Sequence, residues 1–100
     1  MKGIIYFTNL ENKERAEALF EQTITNYQFI GIKPIKVTRQ RHKQSVHFEN
    51  GDCWQCIAPC ENARGIKANL AYIPHDAWGR LQEIAISTAV AKPYNGVIYY

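Results

Sequence analysis

Acidic residues are missing between Gln22 and Phe48. The cations of that stretch, Lys33, Lys36, Arg39, Arg41 and Lys43 with His42 beside them, therefore form a local basic strip inside a chain of net charge +3. Long apolar runs are missing too. None approaches the roughly 20 residues that a membrane-spanning helix needs. The opening M-K-G-I-I-Y-F reaches polar Thr8 and Asn9 after a few apolar residues, too short for the apolar region of a secretory leader. The reading is a soluble chain in the reducing cytoplasm of a host cell. Low-complexity tracts are absent, and 46% of the residues are hydrophobic, so the 100 residues read as one folded domain rather than a disordered segment. Cysteine is scarce, with three in all, and the odd number argues against a simple disulfide framework.

The apolar pattern predicts an α/β domain in the order β-α-β-β-β-β-α-β. Gly3 to Phe7 reads as a buried strand. Thr8-Asn9-Leu10-Glu11 has the T-x-x-E form of a capping box. A helix follows to about Asn26, with Ala16, Leu19, Phe20 and Ile24 on one face. Phe29 to Thr38 is apolar and β-branched, with Pro34 marking an edge or a bulge. Ser45 to Ala58 reads as a β-hairpin, and Asn50-Gly51 signals a two-residue type I′ turn. A loop is expected over Pro59 to Gly65, then a buried strand over Ala68 to Ile73. Asp76 caps a second helix over Ala77 to Ala91, and Val97 to Tyr100 ends the chain as a strand. Helices between strands imply a mixed, partly parallel sheet. Trp54 and Trp78 read as core anchors. Tyr94, Tyr99 and Tyr100 either form a contact surface or cover one sheet face.

The cysteines are clustered: Cys53, Cys56 and Cys60 stand within C-W-Q-C-I-A-P-C. In a reducing compartment such a cluster points to a metal or to redox chemistry. Structural zinc takes four tetrahedral ligands from thiolate and imidazole. With three cysteines present, His42, His47 and His75 are the candidates for the fourth. His75 follows a buried strand and would clip the cysteine loop to the end of the sheet. His47 is expected opposite Trp54 in the hairpin, on the face away from Cys53. The zinc reading carries a condition. Side chains alternate along a strand, so Cys53 and Cys56 share an ion only if the chain breaks into a tight turn near Trp54-Gln55. The alternatives are inert buried thiols and a C-x-x-C redox pair, which normally opens a helix.

S-V-H-F-E-N-G-D-C-W-Q-C followed by A-R-G-I-K-A-N-L-A-Y-I-P-H-D, within Ser45 to Asp76, resembles the ATPase core of phage terminase large subunits and related P-loop ATPases. That family has an F-x-N-G-S hairpin, then R-G, then an apolar strand ending in an acidic pair. The resemblance implies a small α/β sheet domain with a phosphate-binding loop between the first strand and the first helix. Here that place holds T-N-L-E-N-K-E-R, Thr8 to Arg15, with no glycine and no Gly-Lys-Ser/Thr. A phosphate cradle needs glycines so that consecutive N–H groups can turn toward the oxygens. The acidic pair is replaced by Pro74-His75-Asp76. ATP hydrolysis is accordingly not expected.

No constellation of nucleophile, base and oxyanion donors emerges, so the expectation is a non-enzymatic protein. Small size and lost catalytic motifs match, by analogy of class, a phage-encoded accessory or inhibitory protein of the anti-CRISPR type. Under that reading a zinc-stabilised domain docks on a protein partner, such as a host nuclease complex, through Lys33, Lys36, Arg39, Arg41 and Lys43. The second expectation is direct DNA or RNA binding by the same strip, and the third a vestigial nucleotide-binding domain.

Overall fold

The computed structural model describes residues 1–41, 43–58, 68–75 and 96–100. The expected second helix, the expected loop at 59–65, His42, Cys60, Trp78 and Tyr94 lie outside the described residues. Those described form one mixed α/β sheet with a single helix on one face. The elements are β1 (Lys2–Tyr6), α1 (Leu10–Phe29), β2 (Pro34–Arg39), β3 (Lys43–Phe48), β4 (Cys53–Ile57), β5 (Leu70–Ile73) and β6 (Gly96–Tyr99). Their order across the sheet is β2-β3-β4-β1-β5-β6. The β2–β3 and β3–β4 pairs are antiparallel, while β4, β1, β5 and β6 run parallel to one another. Among the described residues no helix is long and apolar enough to cross a membrane.

β1 is central because its apolar run suits burial on both faces. Ile4, Ile5 and Tyr6 are all buried. Ile5, Phe7, Val46, Phe48, Trp54 and Cys56 meet Ala16, Phe20 and Ile24 of α1 on one face. Each fully buried large side chain there contributes about 1.5–3 kcal/mol by leaving water. Gly3 lies level with Trp54 across the β1–β4 pair, and a Cβ at Gly3 would overlap the indole ring, so only glycine lets the two strands close over it.

Both ends of α1 differ from the sequence expectation by a few residues. The N-cap is Asn9, not Thr8, and the capping box closes on Asn12. The helix runs on to Phe29 rather than stopping near Asn26. Gly31, at φ +88, ends it. Gly31 N donates to the Gln28 carbonyl and Ile32 N to that of Tyr27, the paired bonds of a Schellman motif, which needs a left-handed residue at this point. β2 therefore starts at Pro34. Its pairing slips between Pro34 and Lys36, so Pro34 marks both an edge strand and a bulge.

The hairpin turn is also different. Gly51 has φ +93, while Asn50 stays at negative φ. Gly51 N donates to the Phe48 carbonyl, and Phe48 N to that of Asp52. That is a three-residue loop: a type I turn followed by a glycine bulge, not a two-residue type I′ turn. The extra residue shifts the register by one, so His47 faces Cys53 rather than Trp54. Val46 then pairs with Trp54 on the helix side. Burial of Val46 and Phe48 outweighs the local preference of Asn50-Gly51.

Candidate functional site

Three regions carry the chemistry that the sequence singled out: the cysteine strand, the β1–α1 loop and the basic strip. β4 is a continuous strand from Cys53 to Ile57, with no break at Trp54-Gln55. Alternation along it puts Cys56 with Trp54 on the α1 face and Cys53 on the opposite face. Burial pushes the Cys56 thiol up to about 12, so it stays protonated. Cys53 is half-buried, level with Lys2 of β1 and opposite His47 of β3.

His75 is elsewhere. Tyr72 is level with Ile5, which makes His75 roughly six residues further along the strand direction than Cys53, a separation on the order of 20 Å. Its Nδ1 lies 2.8 Å from the Tyr100 carbonyl oxygen. Two ligands of one zinc stand within about 4 Å of each other. Cys53, Cys56 and His75 are therefore not brought together as one ligand set, and the strand break on which their convergence depended is not formed. Among the described residues no group of three or more His, Cys, Asp or Glu side chains converges. The sequence reading placed His47 and Cys53 on different faces, and the one-residue shift in register overturns that placement.

The β1–α1 loop is closed from within. Asn12 is fully buried. Its Oδ1 accepts the N–H groups of Thr8 (2.7 Å) and Asn9 (3.0 Å), and its Nδ2 donates to Thr8 Oγ1 (2.6 Å). Asn9 Oδ1 accepts the Asn12 N–H at 2.9 Å. The backbone donors that a phosphate cradle would offer thus point at an amide side chain. Lys13 is engaged as well: its Nζ donates to the Arg41 carbonyl at 2.8 Å and lies 3.8 Å from Glu17.

The basic strip divides between two surfaces. Val37 and Arg39 lie level with Val46 and Gln44, whereas Lys36 and Thr38 lie level with His47 and Ser45 on the other face. Arg39 forks onto Glu21 of α1, with Nε 2.8 Å and Nη2 3.1 Å from the two carboxylate oxygens. The hydrogen bond from Arg39 holds the Glu21 carboxyl below its usual range, against burial. Both side chains are about half exposed, so the pair is worth at most about 1 kcal/mol. Lys33, Lys36, Arg41 and Lys43 are exposed and form no ion pair among the described residues.

Two features were not anticipated. The first is an apolar corner. Phe29 is 91% exposed, Ile30 68% and Ile35 70%. They flank, in sequence, a shallow open cavity of about 500 Å³ lined by Gln28, Gly31, Lys33 and Pro34. The signal was available: three large apolar residues stand among glycine, proline and lysine, but a strand starting at Phe29 absorbs them as core. The second is a polar chain under the hairpin. Trp54 Nε1 donates to Tyr27 Oη at 3.3 Å, and Tyr27 donates to Asp52 Oδ2 at 2.6 Å. The N-terminal ammonium lies 2.8 Å from Asp52 Oδ1. Burial raises the Asp52 carboxyl, but the bonds from the ammonium and Tyr27 prevail and hold it below its ordinary range. Tyr27 is raised, by burial first and then by its bond to Asp52.

No family model, curated protein or solved structure matches the chain.

Proposed function

We propose that this chain is a non-enzymatic binding protein that docks on an acidic surface of a protein partner through the corner formed by the end of α1 and the start of β2. The single observation that carries this reading is the exposure of Phe29, Ile30 and Ile35 beside Lys33 and Lys36, in a stretch of sequence with no acidic residue, where the Glu49 carboxylate is tied to the Lys33 N–H at 3.1 Å. Apolar anchors ringed by charge are the usual anatomy of a protein interface. The charge also selects the kind of surface. A regulator or inhibitor of a nucleic-acid-handling complex, the role expected by analogy of class, would not occlude the nucleic-acid channel with this corner. Such channels are themselves basic, and like charges would face each other. An acidic patch outside the channel fits.

A second reading rests on the face of β2–β4 that points away from α1. It carries Lys36, Lys43, His47, Thr38 and Ser45, and among the described residues no acidic side chain stands on it. Those groups suit phosphate contacts, but among the described residues no exposed aromatic ring stands with them for bases to stack on.

The test is co-purification of the tagged protein from its cells, with a Phe29→Ser/Ile35→Ser double variant and a Lys33→Glu/Lys36→Glu variant as partners in the comparison. Wild type is expected to hold a protein partner that both variants lose while keeping native circular dichroism. Retention by both variants overturns the reading. Capture of nucleic acid alone, weakening steeply with salt, favours the second.

A further inference from the structure

Among the described residues the outer edge of β2 is unpaired, because β2 ends the strand order of the sheet. Its inward groups can be assigned. Gln40 N donates to the Lys43 carbonyl at 2.9 Å, closing the β2–β3 hairpin with a hydrogen-bonded pair. Such pairs alternate along an antiparallel ladder. Thr38 with Ser45 and Lys36 with His47 are then the next bonded pairs, and the N–H and C=O groups of Val37 and Arg39 face outward. The edge thus offers two donors and two acceptors at the spacing of an added strand. Exposed Lys36 stands on it, with Lys33 before it and Arg41 and Lys43 beyond its end, and the apolar corner at Ile35 closes its start.

Resting on the docking reading above, we infer that the partner contributes an extended acidic segment that adds to the sheet as a strand along β2, with an apolar side chain seated against Phe29 and Ile35. Charge chooses this occupant. A second copy pairing about a twofold axis would set Lys36 and its neighbours against themselves. The slip between Pro34 and Lys36 limits the ladder to the segment beyond it, which suits a short peptide rather than a long sheet-to-sheet contact. Lysines and a bulge also guard edges against such pairing. Guarding excludes neutral and basic strands, and an acidic strand meets the lysines favourably.

The probe is a ten-residue peptide alternating glutamate with valine. Its controls are the same peptide with lysine for glutamate, the glutamate peptide N-methylated at alternate residues, and a short DNA duplex. Amide exchange and chemical shifts at Val37 and Arg39 are the readout. The glutamate peptide is expected to slow exchange of both amides, and the lysine and N-methylated peptides to bind at least tenfold more weakly. Equal binding of the N-methylated peptide overturns strand addition while leaving the docking corner intact. No binding of the glutamate peptide overturns it as well. Protection of the two amides by DNA, or by raising protein concentration alone, assigns the edge to those occupants and overturns the proposal. Loss of partner capture in the Phe29/Ile35 variant is a separate observable, so the two readings fail independently.

Discussion

At the scale of single residues, Asn12 decides the character of the β1–α1 loop. It stands where the P-loop resemblance expects a phosphate-binding turn, and it fills that place with its own amide. Replacing it removes the acceptor of the Thr8 and Asn9 N–H groups at a part-buried site and empties the buried place of the Asn12 side chain. Asn12→Ala is therefore expected to cost about 1–2 kcal/mol, read as a lower urea midpoint. Asp52 supplies a pH dependence. Its folded pKa is depressed, so its contribution is whole above the ordinary aspartate value of about 3.9 and fades as pH falls through the lower folded value. Chemical denaturation of wild type and Asp52→Asn should differ near neutral pH and converge in strong acid. A constant gap across that range would show that the carboxylate charge is not what stabilises the hairpin.

At the scale of elements, β4 sets the fate of the cysteines. A regular strand sends Cys53 and Cys56 to opposite faces, whatever their closeness in sequence. In native protein an alkylating reagent should label Cys53 readily, and Cys56 only at the rate of global opening, because its thiol is buried and protonated. Equal labelling rates would mean that β4 is not a stable strand. The hairpin turn gives a second test. Gly51 at positive φ carries the bulge that sets the β3–β4 register, and Gly51→Ala should cost about 1–2 kcal/mol by thermal melting. Asn50→Ala should cost less, since Asn50 does not adopt the left-handed conformation that a type I′ turn requires. The hairpin itself was legible from E-N-G between apolar runs. Its register was not, because the local turn preference and the alternation of Val46 and Phe48 disagree by one residue, and burying two large side chains stabilises more than the preferred turn does.

For the molecule as a whole, the apolar corner should be separable from the fold. Phe29 and Ile35 contribute little to the core, so the Phe29→Ser/Ile35→Ser variant should melt within about 0.5 kcal/mol of wild type while losing its partner. A large loss of stability would mean that these residues are structural. The chain by itself determined the α/β class, the central buried strand, the inward face of α1 at Ala16, Phe20 and Ile24, and the concentration of positive charge around β2. These follow from local periodicity and composition, which act over one or two turns or one strand. Which side chains meet was decided only by tertiary structure. Strand alternation parted Cys53 from Cys56, a single extra turn residue set His47 against Cys53, and the Schellman end of α1 left Phe29 and Ile30 outside the core. Each outcome depends on pairings between distant segments, whose energies enter only when the sheet closes.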